Sequence, residues 1–260
     1  MADRDPFYVG YLDRIPAGIA GRTRLAVAIL LAVGIALGLV LTFAQSSFDE
    51  GVFEFGVDRE FRGVVIEKPY PMLLIPGTSG DARVTHYLAA YGKIGAGKFV
   101  DGLDGQSVRV TGSLIYNDQQ RMIEVHTIEK IEGDTDDLKG LKTAAETPLG
   151  RMTLTGEIVD SKCHLGAMKP GRGKPHKACA IRCISGGIAP VLRVATHAGE
   201  VDYLLLVGAD GSRVNRDVLK FIAEPVEISG EVVRAGDQLI LYADPATYRR
   251  VVTGSTYELR

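Results

Sequence analysis

Residues 25–43 read LAVAILLAVGIALGLVLTF, 19 residues with no charge and no proline. A helix of that length at about 1.5 Å per residue spans roughly 28 Å, close to the thickness of a bilayer's hydrocarbon core. Such a segment divides the chain before anything else does. Arg4, Arg14, Arg22 and Arg24 precede it, and Asp49, Glu50, Glu54 and Asp58 follow it. Basic flanks favour the cytoplasmic side, which places everything beyond about residue 45 outside, in the periplasm if the membrane is a bacterial inner membrane. A cleaved signal peptide, with Thr42 and Ala44 as a weak cleavage site, and a buried core helix are the alternatives. The apolar run is longer than a signal core and a tail of 24 residues precedes it, so an uncleaved single-pass anchor over 25–44 is expected. Gly34 and Gly38 form a GxxxG pair that would let two such helices approach closely and form a dimer.

The remainder reads as β-structure. Glycine is abundant, tryptophan is absent, and short Val/Ile/Leu runs alternate with turn residues. After a juxtamembrane segment (45–60), two stretches carry the same order of parts. The first, over 61–132, opens with FRGVVIEKPYPMLLI and closes with QSVRVTGSLIYNDQQRMIEVHTIEKI. The second, over 150–253, opens with MTLTGEIVDSKCHLG and closes with EPVEISGEVVRAGDQLILYADPATYRRV. Residues 133–149 between them, polar and rich in small residues, read as a linker. Alternation in Val108-Arg109-Val110 and Val226-Glu227-Ile228 suits half-buried antiparallel strands. Units of this size and strand number fit the partly open Greek-key OB barrel. The expected fold is therefore mainly β: one transmembrane helix, then two small OB-like modules, the second with a short Cys/His-bearing helix.

All three cysteines fall in the second module, at Cys163, Cys179 and Cys183. Pro175 suits a helix first turn and Gly186-Gly187 a helix end, which predicts a helix over about 175–185. At roughly 100° per residue, His176, Cys179 and Cys183 would share one helix face, with Cys163 facing them from the preceding strand. A Cys3His set suits tetrahedral Zn(II), the favoured ion, and also Cu(I), which prefers soft sulfur. The absence of a CxxCH motif argues against covalent c-type haem. Outside the cytoplasm a disulfide with one spare thiol, or a redox-active pair, remains an alternative. Asp160 is a candidate partner for a ligating His176 or a turn cap, and His164 is a weaker ligand candidate. Lys162, Lys169, Arg172, Lys174, Lys177 and Arg182 form an expected basic patch, suited to favouring thiolate or steering an anionic partner.

The segment VDSKCHLGAMKPGRGKPHKACAIRCISGGIAPVL resembles a recurrent stretch in small extracytoplasmic bacterial OB-like proteins, which pair a VVDxxC strand with HxxCAxxC and a following GGxP turn. The matching residues are Asp160, Cys163, His176, Cys179, Cys183, Gly186, Gly187 and Pro190. No activity is established for those proteins, so the resemblance implies the compartment and the site and leaves the chemistry open.

Gly92–Lys98 (GKIGAGK) resembles a P-loop, but Phe99 stands where the magnesium-binding hydroxyl belongs. His86, His126 and His197 are isolated, and no Ser/His/Asp set or carboxylate pair can be assembled from spacing. A non-enzymatic accessory protein, working beside a periplasmic protein partner such as a redox enzyme, is the resulting expectation. A net charge of −2 gives no basic footprint, so nucleic acid is not an expected partner.

Overall fold

The computed structural model describes residues 16–45, 51–77, 83–133, 135–195 and 201–251. Arg4, Arg14, Asp49, Glu50 and His197 lie outside the described residues. The chain divides into two units, residues 1–47 and 48–260.

The described residues of the first unit form one helix, α1 (Ala17–Gln45). Its residues 17–44 have the length and hydropathy needed to cross a membrane, and its large apolar side chains, Leu30 and Phe43 among them, are exposed. A helix apolar on all faces has no single face to bury against a soluble core, which is the pattern of a membrane span.

Among its described residues the second unit has twelve strands: β1 (Val52–Phe53), β2 (Arg59–Ile66), β3 (Met72–Pro76), β4 (Arg83–Ala90), β5 (Ser107–Tyr116), β6 (Arg121–Lys130), β7 (Glu146–Asp160), β8 (Pro190–Ala195), β9 (Val201–Val207), β10 (Pro225–Ala235), β11 (Gln238–Tyr242) and β12 (Arg249–Arg250). They form two closed barrels. In the first, β2, β3, β4, β6 and β5 follow one another around the wall and β5 returns to β2; in the second, β7, β8, β9, β11 and β10 do the same. Counting strands within each barrel, the order is 1-2-3-5-4-1, with the third and fifth parallel (β4 with β6, β9 with β11) and the other pairs antiparallel. This is OB topology, present twice.

The repeated glycines explain part of the repeated sequence. A Cβ on Gly112 would stand 2.1 Å from the Glu124 carbonyl oxygen, and one on Gly230 would stand 2.3 Å from that of Tyr242. Both occupy the same place in their barrels, where the fourth strand bends against the fifth. Gly63 and Gly156 are likewise pressed on the carbonyls of Leu74 and Arg193. Gly112→Ala is expected to destabilise the fold by about 2–3 kcal/mol through overpacking against backbone that cannot move aside. Gly97→Ala, where no atom lies within 4 Å, serves as the near-neutral control. Equal denaturation midpoints for the two variants would contradict this account of the barrel wall.

Each barrel has its own core. Val65, Leu73, Leu88, Val110 and Ile123 fill the first; Ile158, Leu192, Leu204, Leu206 and Leu241 fill the second. A third apolar cluster joins the two, with Tyr70, Met72, Tyr87, Ile115 and Met122 packed against Leu165, Ile188, Leu205, Val207 and Ile240. The second half of β9, residues 204–207, is buried on both faces, which is why it is a continuous apolar run. Polar contacts cross the same junction. Asp237 accepts from the backbone and hydroxyl of Thr85, and Gln119 donates to the Val201 carbonyl, so each barrel's last hairpin reaches the third strand of the other.

Two boundaries differ from the sequence reading. The expected linker is partly structured: Leu138 is buried in a short 3-10 turn, and β7 already begins at Glu146. The juxtamembrane segment contributes β1, which pairs with β5. Short polar stretches of this kind carry no periodicity from which a strand can be read.

His86, buried in β4, is held down to about 4 by desolvation, and His164 is lowered to about 4 by the same cause. Between pH 6.5 and 4 the unfolded chain therefore binds a proton at His86 that the folded chain does not. Stability falls as pH drops through that window, by on the order of 3 kcal/mol for a shift of this size, and is unaffected above it. Denaturation of His86→Leu is expected to show a correspondingly flatter pH dependence. An unchanged slope would show that His86 titrates normally in the fold.

Candidate metal centre

The site is an insertion in the second barrel. In the first barrel, residues 67–71 connect the first strand to the second; in the second, residues 161–189 make the same connection. They form a wide turn over Cys163–Ala167, a 3-10 turn over Lys174–His176, and an α-helix over Lys177–Ser185. Following α2 (Gly97–Val100), a short turn in the first barrel, this helix is α3. It ends in a Schellman motif: the Ile188 N–H reaches the Cys183 carbonyl, the Gly187 N–H reaches that of Ile184, and Gly187 takes a φ of 97°. The Asn215 side chain donates to the carbonyls of Ile184 and Ile188, fixing the helix end to the barrel.

Successive turns of α3 carry Cys179 and Cys183 to the same face, opposite Cys163 at the start of the wide turn that follows β7. The Cys163 sulfur lies 3.7 Å from that of Cys179 and 3.8 Å from that of Cys183. The three cysteines are free in this structure, since the sulfurs of a disulfide stand about 2.05 Å apart. The separations match the edge of a tetrahedral thiolate site, because bonds of about 2.3 Å to one zinc ion put sulfurs about 3.8 Å apart. Cys163 (3% exposed) and Cys183 (0%) are inside the cluster that joins the barrels, and Cys179 is half-buried.

His176 and Asp160 make a second group around the same cysteine. Asp160, fully buried, accepts the Cys163 backbone N–H at 2.8 Å and pairs with His176 Nε2 at 2.9 Å. It is both the turn cap and the histidine's partner. The ligand atoms of Cys163, Cys179 and Cys183 lie within 4.8 Å of one another, as do those of Asp160, Cys163 and His176. The set expected from sequence is thus present as two triads sharing Cys163, and this cluster can hold a metal ion. His176 is displaced because it belongs to the 3-10 turn before α3, where the helical phase does not apply. His164 joins neither triad; its ring packs 4.2 Å from that of Tyr203.

The electrostatics are asymmetric. A hydrogen bond with Cys183, together with burial, pushes the Cys163 thiol up. The same hydrogen bond draws the Cys183 thiol down against its burial, so Cys183 is the more readily ionised of the pair. Burial raises the Asp160 carboxyl, but the hydrogen bonds from His176 and the Cys163 backbone outweigh it and hold the group below its usual range.

The first barrel completes the site. Lys93 Nζ donates to the Cys179 sulfur. Its loop, set aside from sequence as a failed P-loop, docks on the glycines that end α3. Gly95 N–H donates to the Gly186 carbonyl, and a Cβ on Gly186 would stand 2.1 Å from the Lys93 carbonyl oxygen. Met168, 42% exposed, places its thioether 3.5 Å from the Cys179 sulfur. Neither Lys93 nor Met168 was singled out from sequence. Their only sequence signal was the facing pair of glycine-rich loops.

The expected basic patch does not form as one surface. Lys162 is buried, and its ammonium pairs with Glu124 and donates to the Ala90 and Gly92 carbonyls of the first barrel. Lys177 pairs with Glu224, while Lys169, Lys174 and Arg182 are exposed. Sequence proximity grouped residues that the turn at 161–164 sends in different directions.

No protein-family model and no curated protein matches the chain. Among solved structures, it is similar to a deletion mutant and to the wild-type form of the single-stranded DNA binding protein from Thermus aquaticus. The identities are 14% and 15%, with 80% of this chain and 98% and 97% of those chains covered, and the TM-score is 0.22 in both cases. The likeness concerns the fold alone and assigns no DNA to this chain. The exclusion of nucleic acid drawn from net charge is nevertheless corrected, on physical grounds. OB barrels that hold single strands do so with a local groove and stacking side chains, which the charge of a whole chain does not report.

Proposed function

We propose that this chain is a membrane-anchored, extracytoplasmic metal-binding accessory or assembly protein, acting beside a membrane or periplasmic redox enzyme. The observation that carries the reading is the triangle of three cysteine sulfurs at the spacing of a metal–thiolate site, enclosed between two barrels. The long apolar helix supports membrane attachment. The ion is thiophilic and tolerant of tetrahedral geometry, Zn(II) or Cu(I). The test is elemental analysis with thiol counting on the full-length chain, purified anaerobically in detergent. About one zinc or copper per chain with three reducible thiols supports the reading, and a folded chain that retains neither ion rejects it.

The rival reading is thiol–disulfide chemistry through Cys179, favoured by its partial exposure and its contact with Lys93. It predicts reversible oxidation of Cys179 with Cys163 or Cys183, and alkylation of Cys179 at neutral pH faster than that of an ordinary thiol.

A further inference from the structure

Resting on the metal-binding reading, we infer that Cys163, Cys179, Cys183 and Met168 form a sulfur-only Cu(I) site that is loaded and unloaded through its Cys179–Met168 edge.

Three features lead there. Four sulfurs lie in van der Waals reach of one another in succession: Cys163 to Cys179 at 3.7 Å, Cys163 to Cys183 at 3.8 Å, and Cys179 to Met168 at 3.5 Å. The one histidine at the site is held by Asp160 through Nε2 and lies outside the sulfur triangle. A thioether is a soft, uncharged donor, and its addition to thiolates favours a soft monovalent ion.

Charge points the same way. Three thiolates around Cu(I) leave a net charge of −2, against −1 around Zn(II), so the monovalent complex gains more from a cation at its edge. Lys93, brought in by the first barrel, touches the thiolate on the exposed side. Loading is a ligand exchange without oxidation or reduction. Each cysteine that binds gives up its proton, three protons leave for one ion, and Met168 binds without losing one.

Access is confined to one edge. Cys163 and Cys183 are enclosed by the junction of the barrels, whereas Cys179 is half-buried and Met168 is 42% exposed. An incoming ion meets the thioether and Cys179 first and reaches the enclosed thiolates afterwards.

The test uses the full-length chain in detergent under anaerobic conditions. It combines Cu(I) competition against the chelator bicinchoninate, Zn(II) competition against a chromophoric zinc chelator, and copper-edge X-ray absorption. The expected results are one Cu(I) per chain, displacement of Zn(II) by Cu(I), and a ligand shell of sulfur without imidazole scattering. Met168→Leu, a volume-conserving change at an exposed position, is expected to weaken Cu(I) binding on the order of tenfold while leaving Zn(II) affinity unchanged. Zinc retained against Cu(I), imidazole in the copper shell, or equal Cu(I) affinity in Met168→Leu would each overturn the inference while leaving metal binding intact. A chain that binds neither ion would overturn the metal-binding reading itself.

Discussion

Replacing Lys162 by methionine lowers the stability of the folded chain by about 3–5 kcal/mol, the cost of leaving one member of a buried ion pair without its partner. Lys162 sits at the start of the second barrel's insertion, yet its ammonium crosses the junction to the first barrel. There it pairs with the Glu124 carboxylate and donates to the carbonyls of Ala90 and Gly92. Both side chains are almost completely buried. The variant strands a carboxylate in the apolar junction and removes a donor from two carbonyls. Glu124→Gln in the Lys162→Met background is expected to recover much of the loss, because the remaining group is then neutral. Chemical denaturation of the single and double variants measures this coupling. A single variant within 1 kcal/mol of the parent, on the scale of an ordinary surface change, would mean that the pair is solvated and does not join the barrels.

Cys183→Ser is expected to reduce metal affinity by at least about 100-fold, since a serine hydroxyl is not a soft donor and two thiolates no longer close the triangle. The substitution nearly conserves volume, so the apo chain should keep its cooperative unfolding while losing the metal. Cys179→Ser should behave alike despite its partial exposure, because the triangle needs all three sulfurs. Metal competition assays separate these variants from a general loss of structure. A Cys183→Ser chain that binds with parental affinity would place the ion elsewhere, at the Asp160–Cys163–His176 group.

The parts of this molecule that could be read from sequence are those set by local chemistry. Nineteen uncharged residues specify, by composition alone, a helix long and apolar enough to cross a membrane. The helix bearing Cys179 and Cys183 was marked at both ends by Pro175 and by Gly186-Gly187, and it lies where those marks put it. The repeat was visible because Gly112 and Gly230 are each required by a carbonyl on the neighbouring strand, and that requirement recurs with the fold. What could not be read depends on contacts between distant residues. Lys93 meets Cys179 and Lys162 meets Glu124 only because the two barrels dock. His176 was placed on the helical face with the cysteines, although the 3-10 turn rotates it towards Asp160. Nothing local distinguishes a lysine that will be buried between barrels from one that stays in a solvated patch.

The docking also gives the cysteine-free first barrel a role. It covers two of the three sulfurs and supplies the cation that touches the third. The candidate metal centre therefore belongs to the pair of barrels, and on the proposed reading variants at the junction should affect metal retention as well as stability.

The most direct test is an intact-mass measurement on the anaerobically purified full-length chain, alkylated natively and again after addition of a chelator. The account predicts a native mass increased by one metal ion, slow alkylation of all three cysteines, and three alkyl groups gained once the ion is withdrawn. A chain without an ion, two hydrogens lighter than its sequence and alkylated at one cysteine, would show a disulfide with a spare thiol and would contradict it.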